Sequence, residues 1–230
     1  QKMEKELTAA DYRTIRTNEL FKGLDEAGLS FAMEFFRASV SSHRKGECLH
    51  RVGSRLIRFG LVLSGRVQVC MDDIDGNPII MASVTAGRTF GESLCFLGIE
   101  EEPVTISAAT DVKVLWLRTD SVRQKTGLND MRVHGLLMRF ITLITSRALS
   151  MNDRIQILSK KSLRGKLIVF FSQCVHHFGS HTFELPFNRD EMASYLGTNR
   201  SALSRELTKM KQEGILDFSR EKFNILKGDL

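Results

Sequence analysis

The sequence predicts an α+β protein in which a β-rich section precedes one long helix and a compact helical section. Three observations indicate this order. Between residues 40 and 118, short apolar runs rich in β-branched residues alternate with glycines, a spacing typical of an antiparallel sandwich or barrel. From about residue 120, apolar residues recur every three or four positions, as they do in helices. After residue 160, shorter helical segments are separated by turn residues.

The elements before the long helix follow from apolar spacing and turn residues. Residues 11–37 carry apolar side chains at helical intervals, and we predict N-terminal helices there. Within the β-rich section, Asp75-Gly76-Asn77 is a hairpin-turn signal. The predicted domains are residues 1–120 with the N-terminal helices and the β section, residues 121–159 with the long helix, and residues 160–230 with the C-terminal domain.

The segment after residue 120 is long and uninterrupted. No proline or glycine occurs between residues 136 and 164, and the apolar stripe covers about three heptads, with Arg147 at its one polar position. Such a stripe favours a coiled-coil seam between two copies of the chain, and a helix packed only on its own domain is the alternative. The predicted seam consists of Val133, Leu137, Phe140, Ile144, Met151, Ile155 and Leu158.

Two short helices joined by a glycine turn are predicted within residues 188–212. Asn188 can cap the first helix, with Glu191 three residues later as its reciprocal partner. Gly197 provides the turn, and Thr198 is expected to cap the second helix. This arrangement is typical of a helix-turn-helix, and the apolar residues that follow the second helix indicate a β-hairpin wing.

The second of these helices has one face suited to a core and another suited to DNA. Leu203, Leu207 and Met210 are spaced i, i+4 and i+7, and we predict that they are buried. On the opposite face, arginine can pair with both O6 and N7 of guanine, whereas hydroxyls and lysines more often hold phosphates. A solvated basic face on an ordinary helical pair is the alternative. The predicted DNA-binding residues are Thr198, Asn199, Arg200, Ser201, Ser204, Arg205, Thr208 and Lys209.

Charge and composition restrict the possible classes of function. The residues from Lys160 onward hold 12 Lys and Arg against 8 Asp and Glu, which favours a nucleic-acid partner for this part of the chain. No apolar run is long enough to span a membrane, and the first residues do not resemble a signal peptide, so we expect a cytoplasmic protein. The sequence lacks a Ser-His-Asp ordering, a Walker loop, an HExxH motif and a zinc pattern, and we predict no enzyme activity.

Cysteines and histidines do not indicate a metal centre. The four cysteines are scattered without a CxxC pair, and we predict buried, reduced thiols. His176 and His177 are expected in the last turn of a helix that ends at Gly179, where the helix dipole favours them, rather than as metal ligands with His181. The cysteines are Cys48, Cys70, Cys95 and Cys174.

Four stretches carry a likeness to a known family. LVLSGRVQV, DIDGNPIIMASVTAGRTFGE and SLCFLG lie in the β-rich section, and SALSREL lies in the second helix of the predicted helix-turn-helix. Through these stretches the chain resembles the Crp–Fnr superfamily of bacterial transcription regulators, over nearly all of residues 18–226. The resemblance implies a β-roll effector domain (a double-stranded β-helix or jelly roll), a long dimerisation helix and a C-terminal winged helix-turn-helix.

The resemblance also implies how such a protein works. It implies a homodimer whose two helix-turn-helix units enter successive major grooves of double-stranded DNA at a near-palindromic site. It further implies that a small effector in the β-roll gates DNA binding allosterically, and that RNA polymerase is a partner. Ser204 and Arg205 match the Ser-Arg pair of the oxygen-sensing branch, whereas Ser201 replaces a glutamate of familiar members, which predicts a different half-site.

Departures from the family pattern narrow the effector. Gly91 and Glu92 match the start of the cyclic-nucleotide cassette, and Glu92 could accept ribose hydroxyls. Glu102-Pro103 stands where an Arg-Ser pair would hold the cyclic phosphate, and a carboxylate there would repel it, which argues against cyclic AMP. A structural turn retained in the roll is the alternative reading of Gly91-Glu92. The candidate effector-binding residues are Gly91, Glu92, Ser93, Leu94 and Thr105, with Met151 and Asn152 from the long helix.

Metal cofactors are disfavoured as well. No cysteine precedes Cys48 in this sequence, so the N-terminal cysteine ligands that the oxygen-sensing branch uses for an iron–sulfur cluster find no support in it, and a trimmed N-terminus is the alternative. A haem would need an axial ligand, and His50, His134 and Cys95 are more often packed or surface residues. The sequence therefore predicts a small-molecule effector without naming it.

The alternative function is a ligand sensor that acts through protein contacts without DNA readout. The predicted exposure of Arg200 and Arg205 argues against it.

Overall fold

The computed structural model describes residues 7–72, 78–101, 103–123, 130–185 and 188–226. The chain forms two compact units, Gln1–Thr145 and Ser146–Leu230. The elements up to the unit boundary are α1 (Ala9–Thr17), α2 (Glu26–Phe35), β1 (Ser39–His43), β2 (Cys48–His50), β3 (Phe59–Ser64), β4 (Arg66–Asp72), β5 (Pro78–Thr85), β6 (Thr89–Phe90), α3 (Glu92–Leu97), β7 (Thr105–Ala108), β8 (Val112–Leu117), α4 (Asp120–Arg123) and the start of α5 (Met131–Leu158). The remaining elements are α6 (Leu163–Phe178), β9 (Thr182–Glu184), α7 (Arg189–Tyr195), α8 (Arg200–Gln212), β10 (Leu216–Ser219) and β11 (Lys222–Ile225).

The N-terminal helices are two, with a break between them that apolar spacing did not reveal. Thr8 and Asp11 form a capping box at the start of α1, and the Asp25 side chain caps α2 by accepting from the Gly28 amide. Between the helices, Asn18 adopts an extended backbone and ends α1. Its side-chain oxygen accepts from the Leu20 amide, an interaction that competes with helical hydrogen bonding.

The β section confirms the predicted β-roll. Two four-stranded antiparallel sheets have the strand orders β1-β8-β3-β6 and β2-β7-β4-β5. Apolar side chains of both sheets, among them Leu61, Val67 and Ile106, belong to one buried core. Strands β4 and β5 pair as a hairpin, and its predicted turn at residues 75–77 lies outside the described residues. Packing the apolar faces of the two sheets into this core removes their surface from water, which is the main contribution to the stability of the first unit.

The long helix is present as α5, which runs from Met131 to Leu158. Its first part packs on the core of the first unit, where Leu136 and Leu143 are buried and Phe140 lies in a cluster of aromatic rings with Phe36 and Phe59. No described helix is long and apolar enough to cross a bilayer.

The second unit is a group of helices on a small sheet. Helix α6 begins after the Ser162 cap and ends at Gly179, whose φ of 60° gives the left-handed C-terminal cap predicted for it. The predicted wing is the hairpin β10-β11, and β9 adds a third strand to it, pairing Phe183 with Phe223. Sequence patterns missed β9 because a strand of three residues shows no alternation to detect.

Candidate nucleic-acid interface and effector turn

Helix α7 and the turn after it are closed by backbone hydrogen bonds. Asn188 and Glu191 form the predicted capping box at the start of α7. At the other end, Gly197 has a φ of +63°, its amide donates to Ser194 and the Thr198 amide donates to Ala193. This pair of bonds is a Schellman motif, which needs a left-handed residue at the position of Gly197. The turn between the two helices is therefore fixed by glycine.

The cap of α8 is Asn199, so the prediction of Thr198 as the cap is wrong. The Asn199 backbone is extended and its Oδ1 accepts from the Ala202 amide at 2.8 Å. Thr198 lies one residue before the cap, and its amide donates the last hydrogen bond of the Schellman motif of α7. Asn199 thereby holds the start of α8 in place and remains exposed.

Helix α8 presents the two faces that its spacing predicts. Leu203, Leu207 and Met210 are fully buried in the core of the second unit. The predicted DNA-binding residues of the helix lie on the opposite side, where each is exposed. They are Arg200, Ser201, Ser204, Arg205, Thr208 and Lys209.

The acidic side chains of α8 and of its C-terminal cap, Glu206 and Glu213, are held away from that exposed face. Arg164 of α6 binds both Glu206, with an Nε–Oε1 distance of 3.0 Å, and Glu213. The hydrogen bond that Arg164 donates to the Glu213 carboxylate raises the pKa of its guanidinium. Within the described part of the chain, Arg205 and Lys209 form no ion pair. The exposed face of α8 thus keeps its positive charge available for an anionic partner.

Two predicted DNA-binding side chains already have partners in the protein. Arg200 donates to Asp190 at 3.0 Å, and both side chains are about two-thirds exposed. Surface pairs of this kind contribute little and exchange readily. The Thr208 hydroxyl donates to the Ser204 carbonyl, so it can only accept from a further ligand.

A shallow groove of about 540 Å³ runs along the exposed face. Ser204, Arg205, Thr208 and Lys209 line it together with Gln212. Gln212 was not predicted, although its position four residues after Thr208 places it on the same face and could have identified it. An amide there can both donate and accept a hydrogen bond.

The wing tip adds a basic residue that sequence reasoning also missed. Arg220 is exposed in the turn between β10 and β11 and has a φ of +53°, and its carbonyl accepts from Arg189 at 2.7 Å. Arg189 itself lies over the rings of Phe218 and Phe223, which fixes the wing against α7.

The predicted effector turn is built by glycine and a buried carboxyl. Gly91 has a φ of +77° and precedes α3, and a Cβ atom there would lie 2.4 Å from Leu56 Cδ2. Glu92 is the first residue of α3 and is 4% exposed. Ser93 is exposed, and Leu94 packs partly on the core. The geometry requires a glycine at position 91 whether or not the turn holds a ligand.

The remaining effector residues are not all brought to this turn. The Thr105 side chain on β7 accepts weakly from the Val52 amide at 3.4 Å. Met151 and Asn152 are exposed on α5 and belong to the second unit, and their role stays a prediction. Glu102, on which the argument against cyclic AMP depends, lies outside the described residues.

The cysteines are free thiols, but only two of the four are buried. Cys95 and Cys174 are buried, Cys70 is half-buried and Cys48 is exposed, so the prediction of burial is wrong for Cys48. Burial raises the pKa of the Cys174 thiol to about 12. Among the described residues, no group of His, Cys, Asp and Glu side chains has the arrangement of a metal site.

Side chains of the predicted seam fall into two groups on α5. Val133 and Phe140 are buried within the chain itself, and Phe140 belongs to the core of the first unit, which corrects their prediction as residues facing a second copy. Leu137 and Ile144 are half-buried. The other three are open to solvent, with exposed fractions of 66% for Met151, 62% for Ile155 and 40% for Leu158.

Comparisons with known proteins agree with this geometry. Residues 40–126 match the family described as Cyclic nucleotide-binding domain, and residues 165–229 match the family described as Crp-like helix-turn-helix domain. The chain belongs to the Crp–Fnr superfamily. This Crp–Fnr protein is 25% identical to the transcriptional activator protein FnrA of Stutzerimonas stutzeri. The alignment extends over 191 residues and covers 80% of this chain and 75% of FnrA.

Solved structures share the fold of this Crp–Fnr protein. FixK2 from Bradyrhizobium japonicum is similar with a TM-score of 0.54 and 20% identity, over 83% of this chain and 93% of FixK2. DNR from Pseudomonas aeruginosa is similar with a TM-score of 0.52 and 19% identity, over 98% of this chain and 97% of DNR. The Crp–Fnr chain is a transcription regulator, and the prediction that it is not an enzyme is confirmed.

Proposed function

We propose that the protein is a homodimeric, sequence-specific DNA-binding regulator that recognises a near-palindromic site and is gated by a small effector other than cyclic AMP. The observation that carries the DNA-binding part is the exposed face of α8. Arg205 and Lys209 form no ion pair there among the described residues, while Arg164 binds Glu206 of the helix and the cap residue Glu213 away from that face. A recognition helix needs this separation of charge because DNA repels carboxylates and attracts guanidinium groups.

Arg205 is the side chain proposed to read a base. It lies one helical turn from Ser201 and Lys209 on the same exposed face, where its guanidinium can approach the edge of a guanine. Ser201, Ser204, Thr208 and Lys209 would contact phosphates or neighbouring bases, with Thr208 only as an acceptor. Thr198, Asn199 and Arg200 at the helix start would complete the interface, Arg200 after leaving Asp190.

Two copies are proposed to pair along α5 through a seam redrawn from the exposure of its side chains. Replacing the buried Val133 and Phe140 with Ile141 and Ala148 gives an uninterrupted 4-3 alternation of apolar residues, with no polar position. Alternating 3- and 4-residue spacing is the pattern of left-handed coiled coils. The proposed seam residues are Leu137, Ile141, Ile144, Ala148, Met151, Ile155 and Leu158.

The gating effector is proposed to bind near the Gly91–Glu92 turn of the β-roll. The proposed protein partner is RNA polymerase, and the proposed location is the cytoplasm. Gating requires that the effector bind one arrangement of the dimer more tightly than the other. Arg205 is exposed and forms no ion pair within the described residues, which favours DNA readout over a ligand sensor that acts only through protein contacts.

Selection of DNA from a random pool by the purified protein, with and without cell-extract metabolites, tests the proposal. We expect an enriched inverted repeat whose half-site centres lie about one helical turn apart. No enrichment in either condition would favour the sensor that acts through protein contacts.

A mobility-shift assay on the selected site then tests the role of Arg205. We expect Arg205→Ala to weaken binding by roughly 5- to 150-fold, the equivalent of about 1–3 kcal/mol for one bidentate base contact, and to relax preference at one base pair. Arg13→Ala is the matched control because Arg13 is exposed on α1 and carries the same charge. Equal weakening by the two variants would contradict base readout by Arg205.

A further inference from the structure

A cleft in the first unit is lined by positively charged side chains that take no part in the proposed DNA binding. It has a volume of about 410 Å³ and lies where the ends of β1, β2 and β8 meet the segment before β3. Four arginines and one histidine contribute to its walls. They are Arg37, Arg55, Arg58, Arg118 and His50.

The positive charge of the arginine cleft is only partly balanced. Asp120 binds Arg118 at 2.5 Å and lies 3.8 Å from Arg37, so two guanidinium groups share one carboxylate. Within the described part of the chain, Arg55 and Arg58 form no ion pair. Burial and the nearby charge of Arg118 lower the pKa of Arg58, as expected where positive charges are crowded together.

Two buried polar atoms of the cleft walls also lack partners. His50 is 8% exposed, and its Nε2 atom has no hydrogen bond within the described residues. The Nε atom of Arg118 is likewise buried without a hydrogen-bond partner in that part of the chain. Buried polar groups in native proteins are usually paired, and an unpaired one calls for an explanation such as a bound ligand. Both atoms belong to residues that line the same cleft.

We propose that this arginine cleft binds a small organic anion carrying at least two carboxylate or phosphate groups. Guanidinium groups bind both kinds of group through paired N–H donors, and the unpaired Arg55 and Arg58 are placed to do so. Leu56 and Ile57 add an apolar wall for a short carbon skeleton, and the volume suits a metabolite.

The arginine cleft and the predicted effector turn are made of different residues but share a wall. Leu56 lines the cleft and also packs against Gly91, so a ligand held by the arginines would border the effector turn without using Gly91 or Glu92. Anion binding at the arginine cleft is independent of DNA binding by α8.

Isothermal titration of the full chain with citrate, inorganic pyrophosphate and acetate, at constant ionic strength, tests the proposal. We expect saturable binding of citrate or pyrophosphate at one site per chain and at least about tenfold weaker binding of acetate. Tighter binding of citrate would identify a carboxylate metabolite, and tighter binding of pyrophosphate a phosphorylated one. Absence of saturable binding by either polyanion would overturn the proposal.

Two variants and a spectroscopic signal locate the site. Arg55→Ala/Arg58→Ala should weaken polyanion binding at least about tenfold, whereas Arg51→Ala, which removes an exposed arginine outside the cleft, should change it by less than about twofold. If the double variant does not fold, proton NMR of the wild type locates the site. We expect added polyanion to shift the ring-proton resonances of His50 and to leave those of the exposed His134 unchanged. Equal weakening by Arg51→Ala, or shifts at His134 in place of His50, would place the anion elsewhere.

Discussion

Replacing Gly197 with alanine tests whether the turn between α7 and α8 depends on left-handed backbone. Gly197 has a φ of +63°, a conformation that costs an L-residue roughly 1–2 kcal/mol. The added Cβ would lie 3.3 Å from Leu158 Cδ2, the end of a flexible side chain that is 40% exposed and can move aside. We therefore expect Gly197→Ala to lower the free energy of unfolding by about 1–2 kcal/mol, nearly all of it from the backbone.

Gly214 provides a matched control within the same unit. It also closes a Schellman motif, at the end of α8, with a φ of +68°, and a Cβ there would meet nothing within 4 Å. Gly214→Ala should therefore cost almost as much as Gly197→Ala, with a difference below about 0.5 kcal/mol. Gly197→Asn should recover part of the loss because asparagine tolerates the left-handed region.

Urea unfolding followed by far-ultraviolet circular dichroism, with hydrogen exchange of the α7 and α8 amides, measures these differences. A cost of 1–2 kcal/mol would appear as a 5- to 30-fold rise in the equilibrium constant for opening, roughly as expected from the Boltzmann relation. Stabilities unchanged in both alanine variants would refute the backbone argument. A much larger loss at Gly197 alone would show that contact with Leu158 governs the turn.

Three further predictions concern the seam, the charge behind the recognition helix and the buried thiol. Ile155→Asp should dissociate the proposed dimer in sedimentation experiments, whereas Gln156→Asp should not; an unchanged dimer for Ile155→Asp would place the interface elsewhere. Arg164→Gln should weaken DNA binding at low salt without touching the exposed face, because it releases Glu206 and Glu213, and unchanged affinity would contradict this. Iodoacetamide at pH 8 should alkylate Cys48 and leave Cys174 intact in the folded protein, because burial raises the pKa of the Cys174 thiol to about 12 and blocks access, and mass spectrometry distinguishes the sites.

The apolar spacing predicted the buried and exposed faces of α8 correctly because the helix packs on a single core. The apolar positions of α8 face a single core, so a spacing of 3.6 residues separates Leu203 and Leu207 from Arg205 without knowledge of the fold. The cap was mispredicted at Thr198 because Thr198 and Asn199 are adjacent and both residue types favour the cap position, so the sequence does not show at which of them the helix begins.

The long helix was harder to interpret because its faces serve more than one purpose. Val133, Phe140 and Ile155 share the apolar stripe, yet Val133 and Phe140 are buried within the chain and Ile155 is exposed. A stripe read at a fixed period over 28 residues cannot tell a side chain that faces its own core from one that faces a second copy. Burial in the folded chain makes that distinction.

The arginine cleft was beyond sequence reasoning altogether. Arg37, Arg58 and Arg118 lie far apart in the chain and on no common helix or strand. The antiparallel pairing of β8 with both β1 and β3 brings these three neighbourhoods together. Motifs depend on short spacing, so a site assembled from separate strand ends leaves no pattern to recognise.

The packing around Trp116 gives the protein an intrinsic optical reporter. It is the single tryptophan of the chain, it is 2% exposed, and the Arg58 guanidinium carbon lies 4.5 Å from its ring centroid. Indole emission responds to charge close to the ring, so any movement of that guanidinium changes the fluorescence of the native protein. Anion binding in the arginine cleft, which Trp116 and Arg58 line, can therefore be followed by tryptophan emission without a label or a variant, in the same cuvette in which DNA is titrated.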